Sequence, residues 1–224
     1  MSKTMAIPAG IETVADLARW LGDVPLDRIC MRPPPGLATE KDVLAARRTP
    51  ERWLCELVGG VLIRKAADFC AAAISVQVMC RIMDLPETRH SGVMLAGSMP
   101  YRLAPGLVRI PDGSFIPWDH FPGGELIDEE IGTIMPTLVF EVVANSDGKR
   151  EIERKRDEYF QAEVEEVWII DSVRQDAAIW FGPTSVQRFE PGDTIQGSAL
   201  FPEVSIHLGK LFECLIHPRD RKSS

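Results

Sequence analysis

Apolar and polar positions follow a clear order in the second half of the chain. Residues 137–143 form an apolar, β-branched run and residues 166–171 form another, and runs of this length and composition predict buried strands. Between them, residues 149–163 have apolar positions at helical spacing, which predicts an amphipathic helix. Shorter strand signals follow near 177–181 and 186–190. This half of the chain therefore predicts a strand, a helix and three further strands.

The first half of the chain has shorter and weaker patterns. They predict an amphipathic helix at 11–22, a hairpin around Gly59-Gly60, a buried helix at 66–84, short strands at 92–96 and 99–103, and one strand running from Val108 through Pro111 and Asp112 to Ile116. Together with the second half, this order predicts an α/β chain, more closely an α+β sandwich, in which a mixed central sheet is flanked by helices.

The composition is that of a soluble globular protein, because 45% of the 224 residues are hydrophobic and 26% are charged. No apolar run reaches the roughly 18–20 residues of a membrane span, and the N-terminus lacks the apolar core of a signal peptide, so we expect a cytoplasmic protein with no membrane partner. The five cysteines form no C-x-x-C pair, which predicts buried reduced thiols, and the four histidines lack zinc-like spacing. The net charge of −8 argues against indiscriminate binding of nucleic acid but leaves room for a local basic groove.

Glu141 lies inside the apolar run 137–143. Strand alternation places it on the same face as Val139 and Val143, a face that should be covered. A carboxylate buried without a partner costs several kcal/mol or takes up a proton. Two explanations stay open: a carboxylate paired with a structural arginine, or a metal ligand or catalytic acid.

Asp112 raises a similar question. It lies between Pro111 and Gly113, a combination that favours a turn with a solvated carboxylate. However, residues 114–116 continue the apolar run, which favours a position within a strand pair.

The helix at 149–163 is rich in cations. Lys155 lies at the edge of its apolar arc and Arg156 falls inside that arc, so at least one long cation is expected to run inward. Periodicity does not choose between them. The other cations are predicted to form a solvated face: Lys149, Arg150 and Arg154.

Two acids on adjacent strands and an inward cation form a set that suits phosphodiester hydrolysis. Paired carboxylates can hold Mg²⁺ or Mn²⁺, which prefer oxygen ligands. Such an ion activates water and stabilises the charge that develops on a phosphate. A nearby lysine can position the attacking water or help to neutralise the transition state.

Four motifs follow one another along the chain: ELVGG at 56–60, PDGSF at 111–115, PTLVFEVVANSD at 136–147 and ERKRDEYFQAEVEEVWIID at 153–171. In this order they resemble the Uma-type restriction endonuclease family, a bacterial group within the PD-(D/E)XK nuclease superfamily. The resemblance covers roughly residues 40–212. It implies a nuclease-like domain at 39–213, preceded by an N-terminal helix and Pro-rich connector at 1–38 and followed by a polar tail at 214–224.

The resemblance also implies a site and an activity. Asp112 and Glu141 would be ligands of Mg²⁺ or Mn²⁺, and the activity would be cleavage of DNA. Lys155 would be the catalytic lysine, on the helix because the usual strand position holds Val143. Glu56 would be a supporting acid that orients water. A homodimer is expected, since cutting both strands of a duplex calls for two sites.

The sequence departs from the family pattern at three places. Gly113 replaces a β-branched residue, Ala144-Asn145 stands where a Ser-Pro step is usual, and Ala162-Glu163 replaces Ala-Gly, which leaves the turn after the helix without glycine. Asn145 to Gly148 are expected to form a polar loop at the mouth of the site. None of these changes removes the acids or the lysine.

Three hypotheses follow. The first is a metal-dependent DNA endonuclease that uses Asp112, Glu141 and Lys155. The second is a catalytically inactive module of the same fold that binds nucleic acid or a partner protein. The third is a purely structural α/β domain whose acids pair with Arg156 or Arg64.

Overall fold

The computed structural model describes residues 4–66, 68–143, 148–198 and 200–216. The described α-helices are α1 (Val14–Trp20), α2 (Glu40–Arg47), α3 (Phe69–Met83), α4 (Pro86–Ser91), α5 (Lys149–Gln161) and α6 (Leu208–Phe212). The described strands are β1 (Cys55–Val58), β2 (Val61–Arg64), β3 (Gly92–Ala96), β4 (Tyr101–Ala104), β5 (Leu107–Arg109), β6 (Gly113–Pro117), β7 (Leu138–Val143), β8 (Glu166–Asp171), β9 (Asp176–Trp180), β10 (Val186–Phe189), β11 (Thr194–Gln196) and β12 (Ser205–His207).

The larger sheet contains six strands in the order β10-β9-β8-β7-β6-β3. Its central strands β7 and β8 are parallel, with Glu141 opposite Ile169, and the other neighbours are antiparallel. Parallel neighbours need a crossover connection, and α5 lies in the segment that joins them. The sheet is therefore mixed, as the sequence predicted.

Helices cover both faces of this sheet. On one face, α3 belongs to the same core as Phe140 and Trp168 of the central strands. On the other face, Tyr159 of α5 packs with Val139 and Val167. Successive residues of β7 point to opposite faces, so Glu141 shares the α5 face with Val139. The predicted fold class, a mixed sheet flanked by helices, is confirmed.

The smaller sheet contains four antiparallel strands in the order β2-β1-β5-β4. Its hairpin turns at Gly59 and Gly60, whose φ angles of 58° and 80° are those that two-residue hairpin turns require. α1 begins after Thr13, whose side chain forms a reciprocal cap with Asp16. Leu17 of α1 then packs with the hairpin strands in one apolar cluster.

The chain crosses from the smaller sheet to the larger one at residues 110–112. β5 ends at Arg109 and β6 begins at Gly113, so the predicted single strand from Val108 to Ile116 is wrong. Pro111 has no N–H to donate to a strand ladder, which favours a break at this point. The crossing brings Arg109 and Asp112 to the boundary between the two sheets.

The cysteines correct another prediction. Cys55 is buried, but Cys70 and Cys80 are exposed. Both exposed thiols lie on α3, which buries only the face that packs on the larger sheet.

No helix in the described ranges has the length and apolarity that a membrane span would need.

Candidate active site

Glu141 is buried between β7 and α5, with a side chain only 4% exposed. The hydroxyl of Tyr159 donates to its Oε1 at 2.6 Å. The Nζ atom of Lys155 lies 3.4 Å from Oε1 and 3.5 Å from Oε2. Lys155 and Tyr159 are four residues apart on α5, so one face of the helix presents both groups. The acid inside the apolar strand is therefore fully partnered.

Lys155 also reaches the smaller sheet. Its Nζ lies 3.3 Å from Oε1 of Glu56, a fully buried residue of β1. The same oxygen accepts a bond from the backbone N–H of Ile110 at 3.1 Å. Arg109 donates from Nη1 to Glu56 Oε2 and from Nε to Glu158 Oε2, each at 2.7 Å. One ammonium thus lies between carboxylates that belong to different sheets.

Asp112 lies where the chain enters β6. Its Oδ2 accepts a bond from the N–H of Val142 at 2.7 Å, and its Oδ1 lies 2.9 Å from Nζ of Lys65. That ammonium also lies 3.6 Å from Glu141 Oε2 and donates to the carbonyl of Ile110 at 2.6 Å. The two acids predicted as metal ligands therefore face one cation, the Lys65 ammonium.

These groups form one network, which we call the ion cluster: Glu56, Lys65, Arg109, Asp112, Glu141, Arg154, Lys155 and Glu158. Arg154 joins it by donating to Glu158 at 2.7 Å. In their ordinary ionised forms, its four carboxylates and four cations cancel. We call Asp112, Glu141 and Lys65 the open end, and Glu56, Arg109 and Glu158 the closed end, with Lys155 between them.

Exposure distinguishes the two ends. The Asp112 side chain is 15% exposed, whereas those of Arg109 and Glu56 are not exposed at all. A groove of about 530 Å³ reaches the open end, and Lys65 and Asp112 form part of its lining. A ligand can therefore approach the ion cluster from the Asp112 side.

The ion cluster shifts the pKa values of its members. Burial alone would raise the pKa of Glu56, but the positive charge of Lys155 and its neighbours holds it well below the ordinary value. Burial would lower the pKa of Lys155, and the carboxylates of Glu141 and Glu56 instead hold it above the ordinary value. The carboxylates of the open end do the same for Lys65. Burial raises the pKa of Glu141, and the two ammonium groups offset only part of that rise. Both lysines are therefore cations at neutral pH and cannot accept a proton.

The structure brings all four site residues predicted from the sequence into this network: Asp112, Glu141, Lys155 and Glu56. It also resolves the choice between the two inward cations. Lys155 points into the ion cluster, whereas Arg156 pairs with Asp157 at 2.6 Å and stacks on Trp180, 4.0 Å from the ring centre. The chemical roles of the four residues remain predictions.

One prediction about cations is wrong, and the third hypothesis named the wrong partners for the acids. Arg154 was expected on a solvated face, but its side chain is only 19% exposed, because the N-terminal segment around Trp20 covers that side of α5 and accepts a bond from it. The acids also do not pair with Arg64 or Arg156. Arg64 lies over the Trp53 ring instead, 4.3 Å from its centre.

Two of the three departures from the family pattern have a structural explanation. A Cβ atom at Gly113 would lie 2.2 Å from the ring of Phe140, so this ring takes the space of the usual side chain. Glu163 adopts a positive φ of 68°, which glycine adopts more readily. The third departure, Ala144-Asn145, and most of the predicted loop from Asn145 to Gly148 lie outside the described residues.

The sequence prediction missed Lys65, Arg109, Glu158 and Tyr159. Arg109 carried a usable signal, since it interrupts the apolar stretch LVRI much as Glu141 interrupts LVFEVV. Tyr159 lies within the motif at 153–171 that carries the family resemblance, but no role in the site was predicted for it. Lys65 carried no signal, because a lysine that follows the end of a predicted strand is most often solvated.

The residues present suit a divalent cation. Across the described ranges, no three histidine, cysteine or acidic side chains are grouped so as to hold a metal. Three oxygens nevertheless surround the Lys65 ammonium, from the Asp112 and Glu141 carboxylates and the Ile110 carbonyl. Carboxylate and carbonyl oxygens are the ligands that Mg²⁺ and Mn²⁺ take. The donor set therefore fits such an ion.

Comparisons with known proteins agree with this architecture. The crystal structure of a putative nuclease belonging to DUF820 from Anabaena variabilis matches with a TM-score of 0.63 and 17% identity, over 73% of this chain and 92% of that chain. At this identity the likeness shows a shared fold. A family model described as Uma2, putative restriction endonuclease, matches residues 42–209. The chain belongs to the Uma2 family, which confirms the resemblance seen in its motifs. A search of curated proteins found no match.

Proposed function

We propose that the protein is a metal-dependent endonuclease that hydrolyses DNA phosphodiester bonds at the open end of the ion cluster. The observation that carries this proposal is that Asp112, Glu141 and Lys155 belong to one ion network, which a groove reaches at Asp112. Lys155 lies 3.4 Å from Glu141, and both acids lie within 3.6 Å of one further cation. Family membership supports the same reaction class.

Asp112 and Glu141, with the carbonyl of Ile110, would hold Mg²⁺ or Mn²⁺. When bound, such an ion activates water for attack and neutralises charge on the phosphate. The chain itself keeps these oxygens in place. Asp112 is fixed by the N–H of Val142, and Glu141 by the hydroxyl of Tyr159.

Lys155 supplies a fixed positive charge beside these acids. Because its pKa is raised, it stays protonated and donates to the attacking water or to an oxygen of the phosphate. Glu56 holds this ammonium from the opposite side at 3.3 Å. Glu56 therefore acts by positioning Lys155 beside Glu141.

Nicking of supercoiled plasmid DNA with Mg²⁺ or Mn²⁺ tests the proposal. Lys155→Met should lower the nicking rate about 100- to 1,000-fold, the usual cost of removing one group that stabilises a transition state. Lys149→Met is the matched control, because Lys149 lies on the same helix and is 90% exposed. Nicking at the wild-type rate by folded Lys155→Met protein would contradict the assignment.

One observation favours the second candidate, a non-catalytic module that binds nucleic acid or a partner protein. The carboxylates of the ion cluster are already matched by four cations without a metal. This candidate predicts that the protein shifts labelled DNA in a gel, with and without Mg²⁺, while the same preparation leaves plasmid DNA intact. Metal-dependent cleavage abolished by Lys155→Met would exclude it.

We also expect two copies of the chain to act together on duplex DNA, since each strand needs its own site. Sedimentation of the protein with a short duplex should then give a complex with two chains. A complex with one chain would favour cleavage of single strands or nicking.

A further inference from the structure

Lys65 has surroundings that are unusual for a lysine side chain. Its ammonium meets three oxygens, at 2.9 Å from Asp112 Oδ1, 3.6 Å from Glu141 Oε2 and 2.6 Å from the carbonyl of Ile110. An ammonium has three hydrogens to donate. Two carboxylates and a carbonyl around one cation also form the type of ligand set that binds Mg²⁺ or Mn²⁺.

We infer that the Lys65 ammonium and the divalent cation are alternative occupants of one position, so that metal binding is an exchange of one cation for another. This inference rests on the proposed function, because it takes Asp112 and Glu141 as metal ligands. Lys65 is then a positioning residue: it keeps the two carboxylates together until the metal replaces it.

The charges of the ion cluster favour exchange over simple addition. Its four carboxylates and four cations sum to zero, so a divalent ion added without any loss would leave a charge of +2 in a buried network. If Lys65 leaves, the remaining three cations and the divalent metal exceed the four carboxylates by a single positive charge. A phosphodiester carries one negative charge and returns the total to zero. Exchange therefore prepares the site for its substrate.

The groove gives the displaced side chain a place to go. Lys65 and Asp112 line this groove of about 530 Å³ together with Asp68 and Arg52. The backbone N–H of Lys65 is bonded to the carbonyl of Leu54 at 2.8 Å, so rotation of the side chain alone can release the ammonium. The core of the larger sheet need not move.

Binding of Mn²⁺, followed by electron paramagnetic resonance of the free ion, tests the exchange without any activity assay. Lys65→Met keeps a long side chain but removes the competing charge. If the open position is available in about a tenth or less of wild-type molecules, Lys65→Met should bind Mn²⁺ about tenfold more tightly or better. Lys149→Met should bind as the wild type does, and Asp112→Asn should weaken binding in both backgrounds.

The outcomes separate this inference from the proposed function. Equal or weaker Mn²⁺ affinity of Lys65→Met, with Asp112→Asn still harmful, would overturn the exchange and leave the metal site intact. Absence of Mn²⁺ binding by both proteins would overturn the metal site, and the exchange with it.

A second measurement uses the wild-type protein, so it does not depend on the folding of a variant. An amine-reactive reagent should label Lys65 slowly without metal, because its side chain is only 6% exposed and engaged. Saturating Mg²⁺ should raise the labelling rate of Lys65 several-fold, while labelling of the exposed Lys149 stays constant. An unchanged rate at Lys65, measured by mass spectrometry, would contradict the exchange.

Discussion

The closed and open ends of the ion cluster use the same chemical groups in different ways. At the closed end, Arg109 makes two bonds of 2.7 Å to Glu56 and Glu158, and neither Arg109 nor Glu56 is exposed. At the open end, Lys65 lies 2.9 Å and 3.6 Å from its two acids, and a groove reaches Asp112. The closed end consists of short contacts between buried side chains, whereas the open end has one longer contact and can be reached from the groove.

This difference suggests that the two ends of the ion cluster have different roles. Arg109 connects β5 to β1 and α5, so it ties the smaller sheet to the helix that covers the larger sheet, through buried side chains. A buried pair of this kind is costly to break, because the remaining charge is left without a partner. The open end has contacts that a metal or substrate can replace. We therefore expect substitutions at the closed end to affect stability and those at the open end to affect activity.

The largest effect on stability is expected for Arg109→Met, which leaves Glu56 and Glu158 without their shared partner. The free energy of unfolding in urea should fall by about 3–5 kcal/mol, the usual cost of breaking a buried ion pair. Arg102→Met is the control, since its pair with Glu40 is partly exposed and should contribute about 1 kcal/mol or less. Similar losses in the two variants would remove the distinction between buried and exposed pairs.

A smaller loss is expected for Gly113→Val, next to the open end. The added side chain would collide with the Phe140 ring, since a Cβ atom would already lie 2.2 Å from it. Overpacking of this kind costs about 1–3 kcal/mol. In the Phe140→Leu background the same substitution should cost less. Equal costs in both backgrounds, from urea unfolding, would show that Phe140 does not explain the glycine.

The sequence was informative where a polar residue interrupts an apolar strand. Glu141 stands out for this reason. The helical period of the following segment leaves Lys155 and Arg156 as the two cations of that helix that can point inward. The same reasoning applied to LVRI would have found Arg109. Lys65 could not be found in this way, because its three partners lie at least 45 residues away and depend on how the chain crosses between the sheets.

The misjudged face of α5 has a comparable origin. Arg154 looks solvated from helical periodicity, which considers only one partner surface. The N-terminal segment supplies a second one, with the Trp20 ring 4.9 Å from the guanidinium carbon. The pattern of apolar residues along the chain predicts the helices and strands and the first surface on which each one packs. Contacts between distant segments determine which further surfaces cover a helix or strand.

Asp112→Asn should show most clearly that the open end serves activity and the closed end serves stability. The asparagine oxygen can still accept the N–H of Val142, and the Asp112 side chain is 15% exposed, so the unfolding free energy should change by about 1 kcal/mol or less. Metal-dependent nicking of plasmid DNA should nevertheless be lost. A stability loss as large as that of Arg109→Met would show that the open end is structural as well.

The smallest effect is expected outside the ion cluster, at the turn after α5. Glu163 has a positive φ of 68°, so Glu163→Gly should raise the unfolding free energy by about 0.5–1 kcal/mol. Glu165→Gly, two residues on, should lower it instead. Thermal unfolding of the two variants measures this difference in stability. A loss of stability in both variants would show that the backbone at Glu163 is not strained.

We propose that the open end holds the divalent cation. Anomalous X-ray diffraction from crystals soaked in Mn²⁺ tests it most directly. We predict one peak bounded by Asp112, Glu141 and the carbonyl of Ile110, with the Lys65 side chain turned into the groove. Saturated crystals that show no peak there, and Lys65 still between the two carboxylates, would contradict the account.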